Sequence, residues 1–100
     1  MKKVILTPNP YRDRNFRYTL AAERILRESG LQTRLCLPFG VDRLPEGCPE
    51  ARLSSFRDEL PDSDLIICFG GDGTILHTSK LALEREIPIL GINTGTMGFM

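Results

Sequence analysis

Residues 64–77 read DLIICFGGDGTILH, and most of the fold can be worked out from this stretch. Its first part, Leu65 to Phe69, is a short and unbroken apolar run, which is typical of a strand buried on both faces. Three glycines follow within four positions, so the backbone there can turn sharply and approach a ligand closely. Thr74 is then the N-cap or a first-turn residue of a helix whose free N–H groups favour phosphate. The stretch predicts a strand, a phosphate-binding glycine turn and a helix.

One acidic residue, Asp72, stands in the middle of this glycine turn. A carboxylate repels a neighbouring phosphate unless a metal or a proton transfer is involved. We therefore expect phosphoryl chemistry here, rather than phosphate binding alone. The alternative is that Asp72 merely stabilises the turn or caps the helix.

The rest of the chain alternates predicted strands and helices. Apolar periodicity and Gly or Pro breaks place strands at 4–6, 31–37, 65–69 and 87–92, and helices at 12–29, 50–60 and 74–86. This order predicts an α/β fold with a doubly wound, Rossmann-like parallel sheet. The apolar stripes of the two long helices, which should face the sheet, are Tyr18, Ala22, Ile25 and Leu26 on one and Leu76, Ser79 and Leu83 on the other.

The composition excludes several classes of partner. Thirteen basic residues balance thirteen acidic ones, so we expect no nucleic-acid and no membrane partner. No apolar run approaches the roughly 20 residues that a membrane-spanning helix needs. Cys36, Cys48 and Cys68 show no paired spacing, which predicts reduced thiols in a cytoplasmic protein and neither a disulfide framework nor a zinc site.

The chain stops at Met100, within an apolar segment that contains glycine. We expect it to be the N-terminal part of a longer protein. The alternative is a small protein whose end is covered by a partner chain.

A second glycine-rich segment follows the last predicted strand, and residues 91–99 read GINTGTMGF. Neither glycine segment is a Walker loop or a dinucleotide fingerprint. Together with Gly70-Gly71-Asp72-Gly73-Thr74, this segment resembles the NAD kinases, and the resemblance covers nearly the whole chain in layout. The first turn is shared with diacylglycerol and sphingosine kinases, and phosphofructokinases have something close, whereas Asn93-Thr94-Gly95 followed by Gly98-Phe99 is the NAD kinase form.

The resemblance implies a role for each matching residue. Asp72 would be the catalytic carboxylate, acting on the 2′-hydroxyl of the adenosine ribose of NAD. Cofactor-binding positions would be Gly70, Gly71 and Thr74 toward the phosphoryl donor, Gly73, His77 and Phe99 toward NAD, and Asn93 lining the crevice between the two turns. The simpler interpretations remain open: His77 as a surface residue, Phe99 as core, and Asn93 as a residue that tightens a turn. No residue is assigned as a metal ligand.

The function that the resemblance implies is NAD kinase activity, which makes NADP from NAD with ATP or polyphosphate as donor and Mg²⁺ or another divalent metal. It also implies a two-domain kinase that forms a homodimer or homotetramer. Residues 1–100 would be its N-terminal α/β domain, without the C-terminal, β-rich NAD-binding domain, so we expect this fragment alone to be inactive. Two alternatives are a lipid kinase of the diacylglycerol type and a non-catalytic, nucleotide-binding α/β module.

Overall fold

The structure is a computed structural model that describes residues 3–9, 16–37 and 53–93 of the 100-residue chain. In these ranges the strands are β1 Lys3–Thr7, β2 Gln32–Cys36, β3 Leu53–Ser54, β4 Leu65–Gly70 and β5 Ile89–Asn93. They form one parallel sheet in the order β3-β2-β1-β4-β5. The predicted parallel α/β sheet is therefore confirmed.

The two central strands, β1 and β4, are almost completely buried. Ile5 of β1 lies between Arg34 of β2 and Ile66 of β4 in the strand register. A parallel strand in this position is covered on both faces, which explains why its sequence is continuously apolar and does not alternate. The register also fixes where β1 and β4 end beside each other.

Helices cover both faces of the sheet. The helix α1 Arg17–Glu28 packs through Leu20 and Leu26 on one face, whose buried core is Val4, Leu6, Leu35, Ile67 and Phe69. The helices α2 Phe56–Glu59 and α3 Asp72–Glu84 lie on the other face, whose buried core is Ile5, Cys36, Leu60, Ile66 and Ala82. This arrangement makes the sheet doubly wound, as predicted.

The end of α1 follows the sequence signal, and its start is only partly described. Gly30 has a φ of +91° and donates its N–H to the carbonyl oxygen of Arg27, as expected for the glycine that ends a helix. The described helix begins at Arg17, after Phe16, whereas the predicted start at residues 12–13 lies outside the described residues. No helix in the described ranges has both the length and the apolar character needed to cross a membrane.

The predicted apolar stripe is partly right on α1, where Ala22 and Leu26 pack against the core, and it is wrong for the two leucines of α3. Tyr18 and Ile25 are exposed on α1, where Thr19 and Glu23 are buried instead. On α3 the exposed residues are Leu76 and Leu83, and the buried ones are Thr78 and Ala82. The most buried residues of both helices are thus small or polar, and four large apolar side chains of the predicted stripes face outward.

The predicted helix at 50–60 is also partly wrong. Leu53–Ser54 is the short strand β3, which pairs with the end of β2, and the helix is confined to Phe56–Glu59. A 3-10 turn, Leu60–Asp62, then carries the chain through Pro61, so this proline ends the α-helix and does not end the helical path. Residues 50–52 lie outside the described ranges.

Candidate active site

The candidate site lies where β1 and β4 end side by side. The chain leaves β1 toward β2 on one side of the sheet, and it leaves β4 toward β5 on the other. Such a reversal opens a crevice at the carboxyl ends of the two strands, which is where doubly wound sheets bind ligands. Here Thr7 pairs with Cys68, so the turns after Thr7 and after Gly70 border the same crevice.

The glycine turn between β4 and α3 is shorter than predicted. The strand ends at Gly70, Gly71 is the N-cap, and the helix already begins at Asp72, so Thr74 is a first-turn residue and not the cap. Gly71 has an extended backbone with φ −84° and ψ 178°, and none of the three glycines has a positive φ. These glycines are therefore not needed for a left-handed turn.

The space around the glycines differs in an informative way. A Cβ at Gly70 would lie 3.1 Å from Thr74, so this glycine lets the first turn of α3 rest on the strand end. A Cβ at Gly71 or Gly73 would meet no atom of the described residues within 4 Å. The fold thus explains Gly70, whereas Gly71 and Gly73 leave open space beside the start of the helix.

Asp72 and Asn93 are brought together although they are 21 residues apart. Asn93, the last residue of β5, pairs with Gly70 in the strand register, two residues before Asp72. Its Nδ2 donates a hydrogen bond of 3.1 Å to Oδ1 of Asp72. The predicted meeting of the two glycine segments at one crevice is confirmed for these two residues.

Two of the other predicted site residues lie on α3. Thr74 is half-buried against Gly70, and His77 is exposed on α3. His77 follows Gly73 by four residues, so both lie on the same side of the helix. Phe99 lies outside the described residues.

Two residues of this region were given no role by the sequence. Gly91 of β5 lies under α3, where a Cβ would come within 2.8 Å of Cγ2 of Ile75. Thr7 is fully buried, and among the described residues its Oγ1 is the buried side-chain oxygen without a hydrogen-bond partner. A glycine inside a strand is a signal of close packing that could have pointed to Gly91, but no sequence pattern distinguishes Thr7.

The fold and the site together define a class of protein. A doubly wound sheet with a carboxylate at the start of a helix, next to the switch point, is an α/β domain suited to nucleotides and phosphoryl groups. Family comparison narrows this class: the chain belongs to the ATP-NAD kinase N-terminal domain family, whose model matches residues 9–100.

Individual relatives agree with this family. The NAD kinase of Corynebacterium diphtheriae is 32% identical over 102 residues, which cover 99% of this chain and 32% of the relative. The NAD kinase of Acetivibrio thermocellus is 30% identical over 101 residues, covering 100% of this chain and 33% of the relative. Over a shorter match of 58 residues, the NAD kinase of Methanothermobacter thermautotrophicus is 48% identical, covering 58% of this chain and 20% of the relative. The chain thus spans a third or less of the length of these relatives.

Proposed function

We propose that the protein to which this chain belongs is an NAD kinase. It transfers a phosphoryl group from ATP or polyphosphate to the 2′-hydroxyl of the adenosine ribose of NAD and so forms NADP. The observation that carries the proposal is the exposed carboxylate of Asp72 at the start of α3, held by Asn93 beside the switch point. Membership of the ATP-NAD kinase family supports the choice of substrate.

Asp72 acts on the hydroxyl in this proposal. A ribose hydroxyl is a weak acid, so it needs a carboxylate within hydrogen-bond reach that orients it and accepts its proton as transfer proceeds. The hydroxyl oxygen attacks the terminal phosphorus, the bond from that phosphorus to the donor's bridging oxygen breaks, and the proton passes to Asp72. Because Asp72 is exposed, a bound ribose can reach its carboxylate.

The first turn of α3 binds phosphate in this proposal. Its N-cap is Gly71, which has no side chain that could accept a hydrogen bond from the helix. The first N–H groups of a helix also lack partners within the helix. The backbone N–H group of Thr74 can therefore donate to a phosphate oxygen of the donor, helped by the positive end of the helix dipole. Transfer then depends mainly on positioning and on stabilisation of charge.

Gly73 and His77 contribute the contact with NAD. A glycine inside a helix costs about 0.5–1 kcal/mol relative to alanine, and the fold gives no steric reason for it at this position. The open space at Gly73 lets a ligand approach the backbone, and the exposed His77 follows one turn later on the same side.

The chemistry also calls for a divalent cation with the donor. Among the described residues, no group of three or more His, Cys, Asp or Glu side chains could hold a metal ion. Mg²⁺ characteristically takes one or two carboxylates together with phosphate oxygens. Such an ion would arrive on the donor's phosphates and would neutralise charge on the transferring group, and no residue of this chain is assigned to hold it.

The remaining parts of the proposal concern the whole protein. We place residues 1–100 as an N-terminal α/β domain whose NAD site is completed by a second, β-rich domain, so the isolated domain is inactive. The whole protein is a cytoplasmic homodimer or homotetramer with small-molecule substrates, and it binds neither nucleic acid nor membranes. The free, buried thiols of Cys36 and Cys68 suit a reducing compartment, and burial raises the pKa of Cys36 to about 12.

The test is NADP formation by the full-length protein from NAD, Mg²⁺ and either ATP or polyphosphate, beside its Asp72→Asn variant. Loss of the proton acceptor should lower kcat by a factor of about 100 to 10,000. The matched control is Glu84→Gln, which neutralises an exposed carboxylate at the other end of the same helix and should leave kcat unchanged.

Absence of NADP from a folded, full-length protein with both donors would overturn the proposal. Phosphorylation of diacylglycerol in vesicles by that same protein would favour the lipid-kinase alternative. If Asp72→Asn retained full activity, the proposed role of Asp72 would be wrong even where NADP is formed.

A further inference from the structure

The hydrogen bond between Asn93 and Asp72 joins the two glycine segments of the site. β4 and β5 pair from Ile66 and Ile89 to Gly70 and Asn93, so the end of β5 stands directly beside the start of the turn that leads to Asp72. The donor is the side-chain amide of Asn93, because an ionised carboxylate can only accept. Asn93 therefore supports the carboxylate from a strand, which is a more rigid base than a loop.

Close packing of α3 on the sheet makes this contact geometrically possible. Gly91 lies two residues before Asn93, and a Cβ there would clash with Cγ2 of Ile75 at 2.8 Å. Gly70 similarly gives room to Thr74. Because both positions are glycine, the first turn of α3 packs closely against the ends of β4 and β5. This close packing brings Asp72 within hydrogen-bond distance of Asn93.

The contact has a consequence for the carboxylate. Asp72 is exposed, and an exposed aspartate side chain samples several rotamers in water. The bond holds one of its oxygens, Oδ1, at 3.1 Å from Nδ2 of Asn93, and the second oxygen keeps its own capacity to accept a hydrogen bond. A carboxylate fixed in this way holds its second oxygen in a narrow range of directions.

We infer that Asn93 is a positioning residue that orients Asp72 for proton acceptance, rather than a residue that binds NAD itself. This inference rests on the proposed function and revises the role in cofactor binding that the sequence suggested for Asn93. It assigns different kinetic effects to the two roles. Loss of orientation lowers kcat and leaves KM for NAD unchanged, whereas loss of a binding contact raises KM.

The test is a comparison of Asn93→Ala and Asn93→Asp with the wild type in the full-length protein, measuring kcat and KM for NAD between pH 5 and 9. Asn93→Ala should lower kcat about tenfold or more and leave KM within about twofold. Asn93→Asp places a second carboxylate against Asp72, and two such groups in contact resist being ionised together. The rise of kcat with pH should therefore lie at higher pH in this variant than in Asn93→Ala.

The matched control is Leu90→Ala, an exposed side chain of the same strand, which should leave kcat and KM unchanged. A tenfold rise in KM for NAD at constant kcat, or unchanged kinetics in both Asn93 variants, would overturn the inference.

If the wild type forms no NADP, the proposed function fails, and the pair is tested by thermal unfolding of Asp72→Ala, Asn93→Ala and the double variant. A decrease in Tm in the double variant smaller than the sum of the single decreases supports the positioning contact, and an additive decrease overturns it.

Discussion

The two ends of the sheet use charged side chains in opposite ways. At the amino end, the side chain of Lys3, only 10% exposed, forms an ion pair with Glu59, which also faces Arg34 at 3.5 Å. At the carboxyl end, Asp72 is exposed, and its described side-chain partner is the neutral amide of Asn93. At the amino end the charge of Glu59 is therefore neutralised by basic side chains. At the carboxyl end the charge of Asp72 remains accessible to solvent or to a ligand.

This difference separates residues that stabilise the fold from residues that serve the site. The hydrogen bond from Lys3 is the main reason why the pKa of Glu59 lies below its ordinary value of 4.5, so this contact favours the folded protein. A carboxylate that must accept a proton from a substrate cannot be occupied by a cation in the same way. We therefore expect substitutions at the amino end to change stability and those at the carboxyl end to change activity.

The largest change in stability should come from Lys3→Met. The variant keeps the length of the side chain but leaves the half-buried Glu59 without its ammonium partner, and breaking a buried pair costs about 3–5 kcal/mol. Because Glu59 is partly exposed and keeps Arg34, we expect about 2 kcal/mol at pH 7, measured by chemical unfolding. The kcat of the folded enzyme should not change.

The pH dependence checks the sign of this effect. The folded pKa of Glu59 is lower than the unfolded one, so the contribution is complete above about pH 4.5 and is lost as the pH falls through the folded pKa. The difference between wild type and Lys3→Met should therefore shrink below pH 4.

Asp62 provides the control for the ion pair, since it lies 3.9 Å from the same ammonium but is 79% exposed. Asp62→Asn should change stability by less than about 0.5 kcal/mol. Equal losses in Asp62→Asn and Lys3→Met would show that burial of the Glu59 pair does not matter.

Alanine substitutions of two glycines at the carboxyl end of the sheet should change stability in opposite directions. Gly91→Ala forces a methyl group against Ile75, which should cost about 1–3 kcal/mol and lower kcat because the start of α3 is displaced. Gly73→Ala meets no atom of the described residues within 4 Å and should stabilise the protein, though by less than the about 0.5–1 kcal/mol of a helix interior because Gly73 is the second residue of α3.

The same Gly73→Ala variant should raise KM for NAD at least tenfold, because its methyl group occupies the space that the ligand needs. Stability from thermal unfolding and KM from steady-state kinetics must then move in opposite directions. A Gly73→Ala protein with both improved stability and an unchanged KM would contradict the proposed approach of NAD at this backbone.

The sequence was sufficient to predict the parallel sheet and the contact between Asp72 and Asn93 in the candidate site. The unbroken apolar run at β4, the glycine turn after it and the alternation of strands and helices predict the parallel sheet. Because the carboxyl ends of parallel strands share one edge, they also predict that Asp72 and Asn93 meet. These signals succeed because they depend on chain order and burial alone.

The buried faces of the helices could not be predicted in the same way. A hydropathy scale treats every polar side chain as exposed, including one that is buried with a hydrogen-bond partner. Glu23 is buried on α1, where it accepts a hydrogen bond of 2.9 Å from Thr33 of β2. Thr78 is buried on α3 with its Oγ1 3.7 Å from the sulfur of Cys68. Each bond compensates for the loss of water around a polar side chain, so a polar residue can be buried beside the apolar stripe that hydropathy predicts.

The smallest expected effect concerns Thr7, at the end of β1 beside the crevice. Its hydroxyl is buried without a partner among the described residues, and an unsatisfied buried polar group costs about 1–3 kcal/mol. Thr7→Val keeps the β-branched shape and removes the hydroxyl, so Tm should rise by an amount equivalent to about 1 kcal/mol, with kcat within twofold of the wild type. Thr78→Val is the matched control, because it removes a buried hydroxyl that has a partner and should lower Tm. A lower Tm for Thr7→Val would show that the hydroxyl is bonded in the folded protein, and a higher Tm with loss of kcat would assign that hydroxyl to the site.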